Sequence, residues 1–314
     1  MAGGSRDFRA IVERLSVKVR EFYPLKKMTT VRIGGAARLL ADVDDETNLG
    51  MLLKELKERE FRYFIIGNGS KVLFSDNTFN GLVIKLGRKF SYIRSFGEEG
   101  TSLEIGAATP LGEVVNYCLA KELTGAEFLW GIPGTVGGAV INNAGAFGIS
   151  FSEILDKVRI IKDDGQIEER QKEKIHFGYR ECQINPPFPS SFSQKIITGV
   201  ITSVTIKLRK GNRNLIRKKI KNFTAYRRKT QPVGFSFGCC FKNPSGFSAG
   251  MLIDRVGLKG LRAGGAYVSQ KHANFLLNDG SANFADFYQL IELVKFYVEK
   301  SSGIILEEEV RIVY

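Results

Sequence analysis

Glycine-rich loops are the first residues of this chain whose spacing could do chemistry. They occupy residues 30–35 (TVRIGG), 67–72 (GNGSKV) and 131–146 (GIPGTVGGAVINNAGA). Because glycine has no Cβ and adopts positive φ at little cost, successive glycines let backbone N–H groups surround phosphate oxygens. A single loop of this kind is more often a tight turn. Three such loops in the first half of one chain predict a site for a pyrophosphate.

Two common phosphate-binding signatures are absent from the sequence. Val72 occupies the third glycine position of the dinucleotide fingerprint GxGxxG, and no acidic residue follows at the expected distance. The sequence contains no GxxxxGK[ST] either. These absences argue against a Rossmann domain and exclude an ordinary P-loop.

The cysteines and the net charge limit the classes of protein that remain possible. Cys118, Cys182, Cys239 and Cys240 show no CxxC spacing, so neither a metal site nor a disulfide framework is expected. Lys and Arg number 46 and Asp and Glu 33, which gives a net charge of +13 and favours anionic partners. The basic residues are densest at 209–229. This segment could read phosphates, but a solvated helix face is the commoner explanation.

The sequence predicts neither a nucleic-acid nor a membrane partner. It has no RNA-binding aromatic signature and no zinc-finger or basic-zipper pattern. No stretch approaches the roughly 20 apolar residues of a membrane span, and the first twenty residues carry too many charges for a signal peptide. We therefore expect a cytoplasmic protein.

Helices and strands that could position the loops alternate along the chain. Helical spacing of apolar residues appears in three N-terminal sets, which are Phe8, Ile11, Val12, Leu15 and Val19; Leu49, Leu52, Leu53 and Leu56; and Leu111, Val114, Val115, Cys118 and Leu119. Strands are predicted at 61–66, 82–86, 92–96, 103–107 and 195–208. A helix at 286–299 that stops near Gly303 and a strand at 304–314 complete an α+β pattern, with a boundary near residue 210.

Eight sequence strings together resemble one family. VRIGG, GNGSKVLFSD, GIPGTVGGAVINNAGAFG, FGYR, FKNP, LIDRVGLKG, GGAYVSQKHANF and LEEEVR occur in the order and approximate spacing of the UDP-N-acetylenolpyruvoylglucosamine reductases. The resemblance spans residues 26–313. It implies an α+β fold with a two-part FAD-binding module of the vanillyl-alcohol-oxidase (PCMH) type, at 1–88 and 89–210. A C-terminal α+β substrate-binding domain would follow at 211–314.

The resemblance also implies the reaction and the ligands. Members of this family reduce UDP-N-acetylglucosamine enolpyruvate to UDP-N-acetylmuramate, a peptidoglycan precursor, with FAD and NADPH. We accordingly expect FAD, NADPH and this UDP sugar as ligands of a monomer. The residues implied to line FAD are Arg32, Ile33, Gly34, Gly35, Gly67, Asn68, Gly69, Ser70, Lys71, Val72, Gly131, Pro133, Gly134, Thr135, Gly137, Gly138, Asn143, Ala144 and Gly145.

Three positions match the catalytic residues of the family. Arg180, in FGYR, would hold the substrate carboxylate bidentately and stabilise the charge that develops there. Cys239 stands where the family usually has a proton-donating serine. A thiol has an ordinary pKa of about 8.5, far below that of an alcohol, so it releases a proton with less help. Glu309 matches the catalytic glutamate. Strand alternation does not choose between it and Glu308, which remains the alternative.

Further positions resemble substrate contacts. These are Asn243, Lys259, Lys271, His272 and Asn274, and the lysines would meet the pyrophosphate of the UDP sugar. Residues 181–194 contain Pro186, Pro187 and Pro189 but no tyrosine, so the chain resembles the shorter family form that lacks a tyrosine-bearing lid.

Two rival functions stay open at this point. The first is a flavin oxidase that passes electrons to oxygen, against which the FKNP, KHANF and LEEEVR strings argue. The second is a basic phosphate- or RNA-binding protein that uses residues 209–229.

Overall fold

The computed structural model describes residues 17–184 and 199–314. Most of the predicted N-terminal helix and the proline-rich segment at 186–189 lie outside these residues. The last residue of that predicted helix, Val19, lies in a strand, so the prediction is wrong at this position. This strand pairs at the edge of a sheet, and its Val19, Phe22 and Tyr23 are of types that favour strands.

The described residues form strands and helices in alternation. The strands are β1 (Lys18–Pro24), β2 (Ala36–Val43), β3 (Tyr63–Ile66), β4 (Val72–Phe74), β5 (Phe79–Leu86), β6 (Ile93–Phe96), β7 (Ser102–Gly106), β8 (Leu123–Thr124), β9 (Gly145–Ala146), β10 (Ile149–Ser150), β11 (Leu155–Ile161), β12 (Ile167–Gln171), β13 (His176–Gly178), β14 (Glu181–Gln183), β15 (Val200–Lys207), β16 (Arg209–Lys210), β17 (Arg262–Ala263), β18 (Ala266–Val268), β19 (Leu276–Asn278) and β20 (Arg311–Val313). The α-helices are α1 (Glu46–Glu58), α2 (Leu111–Ala120), α3 (Val136–Ile141), α4 (Phe151–Ile154), α5 (Arg213–Thr230), α6 (Ala249–Arg255) and α7 (Phe284–Ser302).

The chain divides into two compact units. The first contains the described residues of 1–20, 39–67 and 81–224, and the second contains 21–38, 68–80 and 225–314. The predicted domains 1–88, 89–210 and 211–314 stay a prediction. The two glycine-rich segments at 30–35 and 68–72 group with C-terminal residues. Their backbones accept hydrogen bonds from that region, at the Val31 carbonyl from Asn278 Nδ2 and at the Lys71 carbonyl from the N–H of Arg311, both at 2.9 Å.

The first unit is built on two sheets. A four-stranded sheet has the order β1-β2-β5-β3, in which β3 and β5 are parallel. An antiparallel five-stranded sheet has the order β12-β11-β15-β7-β6. Helix α1 buries Leu49, Leu52, Leu53 and Leu56, as their spacing predicts. The side chain of Asp45 caps this helix by accepting a hydrogen bond from the N–H of Asn48 at 2.8 Å.

The second unit packs helices α6 and α7 with a three-stranded sheet of order β17-β18-β19 and with the parallel pair β4 and β20. Helix α7 buries Phe287, Leu290, Ile291, Val294 and Val298. It begins with a capping box between Asn283 and Asp286 and ends at Gly303, whose φ is 68°. The helix and its glycine stop were both predicted.

The predicted strand at 304–314 is mostly wrong. Only Arg311–Val313 forms a strand, paired with Val72–Phe74. Residues upstream instead bond singly to the Cys240 segment. The N–H of Lys242 donates to the carbonyl of Glu307 at 2.8 Å, and the N–H of Glu309 donates to the carbonyl of Cys240 at 2.8 Å. A regular ladder is therefore replaced by separate backbone contacts.

No helix among residues 17–184 and 199–314 is long and apolar enough to cross a membrane.

Candidate active site and cofactor loops

The segment that carries Cys239 lies in the second unit, between two backbone partners. Gly238 has a φ of 73°, which turns the chain before the cysteine. Cys239 pairs in an isolated bridge with Phe275, and the N–H of Cys240 donates to the carbonyl of Asn274 at 2.8 Å. The thiol-bearing residues differ sharply, since Cys239 is partly exposed and Cys240 is fully buried. Burial raises the pKa of the Cys240 thiol well above its usual range.

A lysine connects the two residues that were predicted to be catalytic in this unit. Lys71 Nζ lies 2.9 Å from Glu309 Oε1 and donates to the backbone carbonyl of Cys239 at 2.7 Å. The Glu309 side chain is only 9% exposed, so its charge is held by a specific partner and not by bulk water. Our sequence analysis placed Lys71 with the cofactor loop and missed this contact. The one signal in the sequence that could have indicated this contact was a charged residue within a glycine-rich loop.

Glu308 faces a different partner. Lys295 Nζ, on α7, lies 2.7 Å from Glu308 Oε1. The two neighbouring glutamates therefore have separate lysines, and the one beside the Cys239 backbone is Glu309. This arrangement supports the choice of Glu309, whose catalytic role stays a prediction.

Arg180 lies in the first unit, in the hairpin of β13 and β14. Its φ is 57°, and its Nη2 donates to the carbonyl of Gly145 at 2.8 Å. Asn143 donates from Nδ2 to the carbonyl of Gly178 at 2.9 Å, and its Oδ1 accepts from the N–H of Ser152 at 3.0 Å. The FGYR motif thus contacts the third glycine-rich loop directly, and buried Asn143 joins the two.

Backbone donors in the glycine-rich loops fit a phosphate. In the second unit, the N–H groups of residues 68–70 donate to no acceptor among the described residues, and Gly69 has a φ of 59°. In the first unit, the same holds for the N–H groups of residues 134 and 135. Adjacent N–H groups of this kind make a concave anion site. Each loop therefore suits a phosphate, and its contact with FAD stays a prediction.

Other glycines of these loops are required by close chain packing. A Cβ at Gly35 would lie 2.2 Å from the carbonyl oxygen of Asp76, and a Cβ at Gly137 would lie 3.0 Å from the Cβ of Ala107. At Gly67 the added atom would approach Thr135 Oγ1 to 2.7 Å. Their presence therefore has an explanation that involves no ligand.

The remaining predicted cofactor residues lie in the same loops. Arg32 is exposed with a φ of 62°, and its guanidinium lies 5.6 Å from the Phe235 ring centroid. The Thr29 hydroxyl closes the turn around it by donating to the carbonyl of Ile33 at 2.9 Å. The other positions, Gly34, Val72, Gly131, Pro133, Gly138 and Ala144, lie in or beside these loops and stay predictions.

The predicted substrate residues all belong to the second unit but differ in environment. Asn243 is exposed, and its Oδ1 accepts from the N–H of Ala249 at 3.0 Å. Lys259 pairs with Asp254 at 2.6 Å, and exposed Lys271 donates to the backbone carbonyl of Arg228. These lysines are tethered beside their own neighbours, and their contact with a substrate stays a prediction.

His272 and Asn274 are more enclosed. Burial lowers the pKa of the His272 imidazole. A backbone hydrogen bond opposes this shift, and the charge of Lys259 lowers the pKa further. Asn274 is 2% exposed, and its amide bonds twice to the backbone of Phe241. Asn274 thus positions the Cys239 segment, which sequence reasoning did not anticipate.

One residue of the basic helix departs from the expected solvated face. Arg227, near the end of α5, is partly buried, and burial lowers the pKa of its guanidinium, while the nearby Cys239 raises it. The helix itself runs over Arg213–Thr230, close to the predicted basic segment.

Across residues 17–184 and 199–314, no cluster of His, Cys, Asp or Glu could hold a metal ion.

Comparison with known proteins identifies both parts of the chain. Residues 37–170 match the family model described as FAD binding domain, and residues 231–313 match UDP-N-acetylenolpyruvoylglucosamine reductase, C-terminal domain. The UDP-N-acetylenolpyruvoylglucosamine reductase of Caldanaerobacter subterraneus subsp. tengcongensis is 36% identical over 92% of each chain. That of Clostridioides difficile is 37% identical over 96% of this chain and 95% of its own.

A solved structure gives the same result. The crystal structure of the UDP-N-acetylenolpyruvylglucosamine reductase from Thermus caldophilus matches with a TM-score of 0.78 and 33% identity, over 95% of this chain and 99% of the other. These matches confirm the predicted α+β fold class, with an FAD-binding module followed by a C-terminal domain. The chain therefore belongs to the UDP-N-acetylenolpyruvoylglucosamine reductase family of FAD-dependent oxidoreductases.

Proposed function

We propose that this protein is a UDP-N-acetylmuramate dehydrogenase, which uses NADPH and FAD to reduce UDP-N-acetylglucosamine enolpyruvate in the cytoplasm. The product would be UDP-N-acetylmuramate, a precursor of peptidoglycan. The observation that supports this most directly is the cluster of Cys239, Lys71 and Glu309, in which one ammonium group bonds to both predicted catalytic residues of the second unit.

The cofactor would be held by backbone donors. The N–H groups of residues 68–70 and of residues 134 and 135 suit its pyrophosphate, for the geometric reason given above. FAD, when bound, would supply the redox chemistry, namely transfer of a hydride that originates in NADPH. The protein's own residues must then manage charge and a proton.

Cys239 is proposed to donate that proton. Hydride addition at the methylene carbon leaves negative charge on the adjacent carbon and its carboxylate, and the thiol protonates this carbon. Cys239 is partly exposed, whereas Cys240 is buried. The cysteine in the usual serine position therefore remains compatible with the role.

Arg180 and Glu309 are proposed to act on the substrate carboxylate. Arg180 offers a planar fork of donors that stabilises the charge as it spreads into the carboxylate. Lys259, Lys271, His272, Asn243 and Asn274 are proposed to bind or position the UDP sugar. The lysines supply positive charge for its pyrophosphate, and the enzyme is proposed to act as a monomer.

An absorption experiment tests the proposal. The purified protein, reconstituted with FAD, should show flavin bands that bleach with NADPH under anaerobic conditions. The bands should return on addition of UDP-N-acetylglucosamine enolpyruvate, with formation of UDP-N-acetylmuramate. Bands that return with oxygen but not with the sugar would identify an oxidase instead. A protein that binds no flavin would contradict the proposal outright.

A further inference from the structure

We propose that Lys71 is a positioning residue for the substrate half of the reaction. Its ammonium group pairs with the Glu309 carboxylate and fixes the backbone that carries Cys239. The inference rests on the proposed function, in which Glu309 and Cys239 act on the enolpyruvyl group. It adds a third residue that neither the family strings nor the comparisons assign to this task.

The geometry makes Lys71 the shared partner of both residues. Its Nζ lies 2.9 Å from Glu309 Oε1 and 2.7 Å from the Cys239 carbonyl oxygen. An ammonium group has three donors, so these two bonds use most of its capacity. The backbone adds a further constraint, because the N–H of Arg311 donates to the Lys71 carbonyl at 2.9 Å. The parallel pairing of β4 with β20 therefore places the backbone of Lys71 beside the residues that directly follow Glu309.

The carboxylate has little contact with water. Glu309 is 9% exposed, and a buried charge is stabilised when an opposite charge is paired with it. Lys71, at 24% exposure, also stays partly enclosed. Because the pair is shielded from water, its attraction is stronger than that of a surface ion pair.

Other charged groups lie around the pair. Lys71, Glu308, Glu309 and Cys239 all act electrostatically on Cys240. Glu308 faces the other way, toward Lys295 of α7, and Glu307 pairs with Lys242. Arg227, near the end of α5, interacts electrostatically with Cys239. Lys71 contacts the Glu309 carboxylate directly, at 2.9 Å.

The backbone contact matters for the thiol. Gly238, with a φ of 73°, allows the peptide before Cys239 to rotate more freely than any other residue type would. The Lys71 bond to the Cys239 carbonyl restrains the following peptide. The backbone of Cys239 is therefore held by a residue from another part of the chain.

The test compares K71M with K71R and with a matched control. K295M removes the lysine that pairs with Glu308. The Lys295 side chain is 27% exposed, close to the 24% of Lys71. In K71M, we expect kcat for reoxidation of reduced flavin by the enolpyruvyl sugar to fall about 10- to 100-fold, the factor for losing a hydrogen bond to a charged group. KM for the sugar should change far less.

K71R should recover much of the rate, since it restores a cation, and K295M should keep the rate of the parent. A K71M enzyme with the rate of the parent would overturn the proposal. So would a K295M enzyme that shows the same loss as K71M.

A second readout needs no substrate and separates this inference from the proposed function. Cys239 is the partly exposed cysteine, and the other three are buried, so iodoacetamide reports on Cys239. Its alkylation near pH 8 should be faster in K71M than in the parent and in K295M, because the segment that carries Cys239 loses the Lys71 bond to its backbone and opens more readily. Equal rates would overturn the inference. A parent protein that fails to turn over the sugar would contradict the proposed function alone, and this comparison would still decide the role of Lys71.

Discussion

The amide of Asn274 makes two hydrogen bonds to the backbone of Phe241. Its Oδ1 accepts from the Phe241 N–H at 2.9 Å, and its Nδ2 donates to the Phe241 carbonyl at 2.9 Å. Both residues are almost completely buried. The carbonyl of Asn274 also accepts from the N–H of Cys240. One side chain thus imitates a strand partner and sets the register of the segment that carries Cys239.

Replacement of Asn274 should therefore destabilise the protein. Asn274→Ala leaves a buried N–H and a buried carbonyl without partners, and each such group costs about 1–3 kcal/mol. We expect the free energy of unfolding, measured with urea, to fall by about 2–4 kcal/mol. Asn243→Ala is the control, because exposed Asn243 loses one bond that water can replace. Equal losses in the two variants would contradict this role for Asn274.

Cys239 should control the substrate half of the reaction and the sensitivity to thiol reagents. In Cys239→Ala, reoxidation of reduced flavin by the sugar should slow by about 10²–10⁴, the usual contribution of a positioned proton donor. Stopped-flow absorbance would measure this rate, and bleaching by NADPH serves as the internal reference. Cys239→Ser should keep more of the rate while losing its inhibition by iodoacetamide. Cys240→Ala should remain inhibited, because the Cys240 thiol is buried.

The two adjacent glutamates should differ in their effects. Glu309→Gln removes a charge beside the Cys239 backbone and should lower kcat with the sugar by at least about tenfold, because one charge-assisted interaction is lost. Glu308→Gln breaks the pair with Lys295 and should affect the unfolding free energy more than kcat. Steady-state kinetics and urea unfolding on both variants separate these effects. The reverse pattern would assign the catalytic role to Glu308.

The sequence was most informative where a local pattern settles the outcome. Helix α7 followed from apolar spacing and from Gly303, and both signals act within one element. The prediction of a strand at 304–314 was mostly wrong because the pairing of this segment depends on Cys240 and Lys242, which lie far away along the chain. For the same reason, no local signal revealed that Lys71 contacts Glu309 or that Asn274 bonds to Phe241. Motif strings identified these residues but did not show what their side chains contact.

His272 should make stability depend on pH between about 5 and 7. Burial lowers its pKa in the folded protein below the ordinary value of 6.5, so the unfolded chain binds the proton more tightly. Its contribution to stability is therefore complete above pH 6.5 and decreases as the pH falls through the folded pKa. His272→Gln should flatten the pH dependence of the urea midpoint in this range. His176→Gln, at an exposed position, should leave it unchanged. A parent midpoint that is constant from pH 8 to about 5 would contradict this expectation.

Gly69 combines a positive φ with a crowded position, and Gly246 allows these two effects to be separated. Gly69 has a φ of 59°, and an added Cβ would lie 2.0 Å from the carbonyl oxygen of Met28. Gly246 has a φ of 76° and no atom within 4 Å of an added Cβ. Gly246→Ala should therefore cost only the left-handed conformation, about 1–2 kcal/mol of unfolding free energy.

Gly69→Ala should cost about 1–3 kcal/mol more than this, because the Met28 backbone must also move. The movement would disturb the N–H groups of residues 68–70, so the variant should bind less FAD after reconstitution, as measured by the flavin absorbance per protein. Gly246→Ala should retain the flavin content of the parent. If both variants lost the same stability and kept the same flavin, close packing at Gly69 would have no part in forming the cofactor loop.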